Sequence, residues 1–192
     1  DERVLAAIDA IPRHFFLDQA FERIAYEDRA FPITANQTIS QPYTVAFQTE
    51  LLQIKKFDKV LEIGTGSAYQ ACVLAELGAT VYSIERQKEL YDFVGKFFFI
   101  KKYPNLKRFY GDGYEGLPSY APFDKVIITA AAPYIPEKLV EQLKPGGRMV
   151  APVGDDSGQK MMLILKDADG NITQQELGDF SFVPMLQGKN GR

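Results

Sequence analysis

From Asp58 onward, short apolar runs of strand length alternate with segments of helical period, and this alternation constrains the fold more than any single motif. "DKVLEI" reads as a buried strand, "YQACVLAELG" as a helix stopped by Gly78, and "TVYSIE" as a second strand. "QKELYDFVGKFFFI" follows, with Leu90, Val94, Phe97 and Phe98 spaced to share one helical face. "NLKRFYGDG" and "FDKVIITAAAP" supply two more strands, separated from "RMVAPV" by a helix "EKLVEQLKPGG" closed at Pro145 and Gly146. "KMMLILKDADGNITQQEL" and "FSFVPML" then read as strands, with "DADGN" as a turn. The pattern predicts an α/β, doubly wound, mostly parallel sheet with helices on both faces and an antiparallel C-terminal edge.

The segment before this core has a different texture. Val4, Leu5, Ile8 and Ile11 keep a helical period up to Pro12, after which the chain to Gln37 is irregular and aromatic. "QPYTVAFQTELLQI" reads as a helix with Ser40 at its N-cap and Pro42 in its first turn. One domain over 1–192 is expected, with 1–40 as cover and active-site loop and 57–192 as core; a monomer is the simplest state. The chain opens at Asp1 rather than Met, which leaves room for an upstream segment.

Composition excludes several classes. Lys plus Arg total 22 against 25 Asp plus Glu, a net charge of −3 that offers nucleic acid or an anionic membrane no general attraction. No apolar run approaches the roughly 18 residues of a membrane span, so a cytoplasmic protein is expected. One cysteine, Cys72, and one histidine, His14, cannot form an internal disulfide or a Cys/His metal site. Cys72 reads as core packing and His14 as part of the cover.

In a doubly wound sheet, ligands bind beyond the carboxyl ends of the strands, where "LEIGTGSAYQ" lies. Gly64 and Gly66 permit close approach of backbone to ligand, but Tyr69 occupies the place where a dinucleotide-binding turn needs a small residue. Glu85 ends the next strand, placed to accept hydrogen bonds from both hydroxyls of a ribose, and "GDG" follows a later strand. A compact loop beside a ribose-binding acid suits S-adenosylmethionine better than NAD.

The quoted motifs, together with "QTISQPY", "VYSIER", "GDGYEGLP" and "QLKPGGRMVAPVG", resemble in order and spacing those of the protein-L-isoaspartate O-methyltransferases, across nearly the whole chain. The resemblance implies a Rossmann-like class I methyltransferase that methylates the free α-carboxyl of L-isoaspartyl residues in damaged proteins and peptides, using S-adenosylmethionine. By position, Gln37, Thr38, Ile39 and Ser40 would lie at the active site, with Ser40 as the catalytic serine. Gly64, Thr65 and Gly66 would border the methionine part of the cofactor, Glu85 would hold its ribose, and Asp112 with Gly113 would face its adenine. The chain departs from the family at Thr34, Asn36 and Ala68, where glycine is usual; Asn36 tolerates a left-handed backbone and Thr34 does not. Phe97, Phe98 and Phe99 read most simply as bulk covering the sheet, although one could reach the adenine face, and Asp28 belongs to the family pattern or is a loop acid. Two other functions fit the cofactor loop: a methyltransferase for a small molecule or RNA, and a cofactor-binding protein without catalysis.

Overall fold

The computed structural model describes residues 1–191. After α1 (Glu2–Asp9), an irregular segment of short 3-10 turns leads into a small antiparallel hairpin, β1 (Phe31–Pro32) and β2 (Thr38–Ile39). The core then runs α2 (Pro42–Leu52), β3 (Lys59–Ile63), α3 (Tyr69–Glu76), β4 (Thr80–Glu85), α4 (Lys88–Gly95), β5 (Leu106–Tyr110), β6 (Phe123–Ile128), α5 (Glu137–Glu141), β7 (Leu143–Asp155), β8 (Gly158–Lys166) and β9 (Ile172–Phe180). The seven-stranded sheet has the order β5-β4-β3-β6-β7-β8-β9. Its first four pairings are parallel, and β8 and β9 add antiparallel to β7, as the strand and turn pattern predicts.

Chain order reverses at β3. From there one βα unit steps to β4 and later units step through β6 the other way, so a crevice opens beyond the carboxyl ends of β3, β4 and β6. β3 is buried along its length because helices cover both faces, which explains its unbroken apolar run around Glu62.

Four local expectations give way to longer-range constraints. The N-cap of α2 is Gln41, not Ser40: Pro42 forces the residue before it out of helical geometry, and Gln41 sits extended at φ −60°, ψ 151°. The cap comes from outside the helix, as Asp28 Oδ1 accepts from the Tyr43 N–H at 2.8 Å. The helix α4 ends at Gly95 because Phe97 turns extended, leaving Phe98 exposed and sending Phe99 into the cover beside Phe16, with ring centroids 5.3 Å apart. None of the three phenylalanines lines the crevice. The α5 helix is five residues long, since Leu143 already pairs with Phe123, and Pro145 and Gly146 fall in a register shift of β7. "FSFVPML" is not a regular strand: β9 ends at Phe180, and Pro184 forms one isolated bridge with Ala131.

The hairpin turn resolves the glycine departures. Ala35 (φ 60°) and Asn36 (φ 54°) take the left-handed conformation, and Thr34 does not.

Because Asp28 supplies the cap, Asp28→Ala should cost about 1 kcal/mol of stability, whereas Ser40→Ala should leave the unfolding midpoint within error of the parent. Chemical denaturation of the two variants beside the parent decides between them; a larger loss for Ser40→Ala would restore Ser40 as the cap.

Candidate active site

The loop from β3 to α3 is held from three sides. The N–H groups of Gly64 and Thr65 both donate to the Ile84 carbonyl, at 2.9 and 3.1 Å, which ties the loop to β4. Thr129, just past β6, donates its hydroxyl to the Ile63 and Gly64 carbonyls at 2.9 and 2.6 Å. A Cβ at Gly64, whose φ is +96°, would lie 2.6 Å from the Thr129 oxygen, so only glycine serves there. The third tie is Glu85 at the end of β4. Its Oε2 accepts from the Gly66 N–H at 3.0 Å and its Oε1 from the Gln87 N–H at 2.8 Å. Burial pushes this carboxyl upward and the two backbone donors pull it back. Each oxygen keeps a lone pair beyond these bonds.

Ala68 holds the N-cap position of α3 with φ +70°. The loop therefore keeps the left-handed turn that glycine usually makes, and the alanine methyl is fully buried in the apolar core, which offsets part of the backbone strain.

Beneath the loop lies an unusual acid. Glu62 on β3 is completely buried; one carboxyl oxygen takes the hydroxyl of Ser83, and the other has no hydrogen-bond partner. Ser83 in turn meets the Thr65 hydroxyl at 2.6 Å. Desolvation, with a smaller push from the charge of Glu85, raises Glu62 to about 8, so it is protonated at neutral pH.

The crevice beside these groups is lined by Gln37, Thr38, Ile39 and Ser40, from the second half of the hairpin and the residue after it. Gly64, Thr65, Gly66, Glu85 and Gly113 also line it. Nine of the ten residues singled out from sequence thus meet in one cavity. Asp112 stands outside the lining, its carboxylate accepting from the N–H groups of Tyr114 at 3.0 Å and Gly188 at 2.8 Å.

Sequence reasoning missed one wall. Val183, Pro184, Met185 and Leu186 line the cavity as a strap laid beside Ala131, with Ala131 N–H to the Val183 carbonyl at 2.8 Å and Met185 N–H to the Ala131 carbonyl at 2.7 Å. Arg86 staples the strap by donating to the carbonyls of Gly188 and Gln187 at 2.9 and 3.3 Å. No local pattern announces such a contact. Thr129, also missed, did carry a signal, since it opens "TAAAP" immediately after β6.

Thiol and imidazole chemistry are absent from this crevice. Cys72 is fully buried inside α3 and burial pushes its thiol far upward, while His14 pairs its Nδ1 with the Tyr26 hydroxyl at 2.7 Å in the cover. Among the described residues no cluster of three or more His, Cys, Asp or Glu is arranged to hold a metal ion.

The model of the family described as protein-L-isoaspartate(D-aspartate) O-methyltransferase matches residues 1–190. The chain belongs to this family. A protein-L-isoaspartate O-methyltransferase of Christiangramia forsetii is 57% identical over 194 residues, covering 99% of this chain and 89% of that protein. A solved protein-L-isoaspartate O-methyltransferase structure superposes with a TM-score of 0.87 at 27% identity, over 96% of this chain and 61% of that one. A crystal structure from Plasmodium falciparum, described as a putative member of the same family in complex with S-adenosyl-L-homocysteine, shares the fold with a TM-score of 0.83 at 24% identity. It covers 97% of this chain and 91% of that one. The family is a set of S-adenosylmethionine-dependent carboxyl methyltransferases, and the cavity lining carries groups that suit such a cofactor: Glu85 has acceptor capacity to spare for hydroxyl donors, and Gly64 and Gly66 expose backbone to a ligand.

The protonated Glu62 gives a pH signature of unusual sign. Its carboxyl rises from 4.5 to about 8 on folding, so between those values the unfolded chain has released a proton that the folded one retains. Stability should therefore fall by about 1.4 kcal/mol per pH unit across that window and level off above it. Glu62→Gln should remove this slope. Urea unfolding of both proteins at pH 5, 6, 7 and 8 measures the difference, and parallel curves would mean that Glu62 is ionised in the fold.

Proposed function

We propose that the chain methylates the free α-carboxylate of L-isoaspartyl residues in damaged polypeptides, with Ser40 orienting that carboxylate. Family membership supports the reaction; the observation that supports the role of Ser40 is that it lines the cavity and does not cap the helix. S-adenosylmethionine, when bound, supplies an electrophilic methyl group on a sulfonium. The chain's own residues have a lighter task. A carboxylate with an ordinary pKa near 4 is already a nucleophile at neutral pH, so no general base is needed, in keeping with an inert Cys72 and a remote His14. Catalysis then consists of alignment. Ser40 donates one hydrogen bond to a carboxylate oxygen, and the hairpin from Gln37 to Ile39 keeps water from the reacting atoms.

For the cofactor we assign Glu85 to the ribose hydroxyls, Gly64, Thr65 and Gly66 to the methionine part, and Gly113 to the adenine side. Asp112 acts there through the strap it holds at Gly188. The protein works as a monomer in the cytoplasm, with residues 1–192 as one domain and without nucleic acid. No described helix is long and apolar enough to cross a membrane.

An isoaspartyl residue routes the main chain through its side-chain carbon and so presents its carboxylate one bond from Cα. A site that aligns this group should discriminate strongly against aspartyl, since small misplacements cost about a hundredfold in rate. Methyl transfer to an isoaspartyl peptide and to its aspartyl twin is the test. Equal rates would sink the repair reading. Ser40→Ala should lower kcat by at least about tenfold while leaving cofactor affinity near the parent value. Glu85→Ala should weaken S-adenosylhomocysteine binding about tenfold or more, read by calorimetry, because it removes two charge-assisted hydrogen bonds.

A further inference from the structure

A second opening adjoins the active site and has no part in the reaction as described. It is a groove of about 630 Å³ between the cover, the hairpin and α4. Its floor is apolar and fixed: Leu90 and Val94 of α4 are buried, and the rings of Phe16 and Phe97 meet edge to face at 4.9 Å. Its rim carries Phe15 and Phe93, which are 47% and 62% exposed. Two large exposed aromatic side chains flanking one apolar concavity suit an apolar ligand.

Three features say what. The groove adjoins the cavity above the β3–α3 loop, with Ser67 lining both, and its wall at Pro32, Ile33 and Thr34 is the first half of the hairpin whose second half leads into Ser40. The substrate is a polypeptide, so residues flanking the isoaspartyl group must lie on the surface around that hairpin. The single ionisable group in the lining is Asp18, and its Oδ1 is already committed to the Ala20 N–H at 2.8 Å. An acidic side chain would meet that carboxylate, and an apolar one would meet the phenylalanines.

We propose that this groove, rimmed by Phe15 and Phe93 and walled by Pro32–Thr34, is a specificity subsite that takes one apolar side chain of the substrate polypeptide near its isoaspartyl residue. The proposal rests on the isoaspartyl reading of the active site and adds a selection rule to it: damaged segments that expose aliphatic or aromatic residues are preferred. Such segments become accessible when a protein interior is disturbed.

The test is steady-state methylation by the full chain of a set of isoaspartyl peptides that differ only in carrying Ser, Leu or Asp at each flanking position in turn. At one position Leu should lower the peptide KM about tenfold relative to Ser, and Asp should raise it, with kcat and S-adenosylhomocysteine affinity unchanged. Phe93→Ser should reduce the Leu-to-Ser ratio below about threefold while leaving the kinetics of the all-Ser peptide intact. Ala20→Glu, on the exposed lip of the groove, is an independent second variant with the same expected outcome. The subsite is overturned if no position prefers Leu, or if the preference survives in both variants. It is also overturned if sedimentation shows a self-associated chain that Phe93→Ser converts to monomer, because the groove would then be a contact between copies. Failure of the isoaspartyl reading looks different: even the all-Ser peptide would go unmethylated while S-adenosylhomocysteine still binds, and the subsite would fall with it.

Discussion

The Glu85 carboxylate, clamped between the N–H groups of Gly66 and Gln87, is the interaction around which the rest of the site is arranged. It joins the turn after β3 to the turn after β4 and so ties together the two strand ends that flank the crevice. A carboxylate accepting backbone donors in a nearly dry environment is strong and directional, and its geometry leaves one oxygen lone pair on each side for a ligand. Remove the acid and Gly66 loses its tie to β4, leaving the loop held to that strand only at Gly64 and Thr65, by the Ile84 carbonyl and the Ser83 hydroxyl. Binding capacity and loop geometry therefore depend on the same atoms.

Around this clamp the protein tolerates costs that a purely structural sheet would avoid. Glu62 sits wholly buried with one unpartnered oxygen, and three residues other than glycine, Ala35, Asn36 and Ala68, hold left-handed conformations on either side of the cavity. Strain and unsatisfied polarity collect at functional sites because the surrounding packing enforces them. Here the enforcing elements are visible. Ala68 is pinned by its buried methyl group, and the hairpin turn is closed by the Ile33 N–H to Gln37 carbonyl bond at 2.8 Å.

The site is assembled from segments with very different sequence separations. The glycine loop, Glu85 and Thr129 come from the ends of three neighbouring strands, β3, β4 and β6, whereas other lining comes from the hairpin and from the strap at Val183–Leu186. Asp28 and Arg86 do similar jobs at the two ends: one caps α2 from the cover and thereby frees Ser40, and the other fixes the strap against β4. Both act over a span that no helical or strand period reports.

Periodicity and turn chemistry determined the sheet, its parallel core, its antiparallel edge and the place of the crevice. Strands buried on both faces must be apolar, and a glycine-rich turn beside a strand-ending acid has few uses other than holding a ligand. Nine of the ten chosen residues line one cavity because they sit at strand ends or in the hairpin, positions that local pattern encodes. Tertiary structure decided what local pattern could not. Pro42 and Asp28 together moved the cap of α2 off Ser40, pairing with Phe123 ended α5 early, and Gly188 claimed an oxygen of Asp112. Apart from the local effect of Pro42, each of these is a contact between residues well separated in the chain, whose energy depends on three-dimensional proximity. A sequence read one window at a time carries the propensity of each partner and not the distance between them.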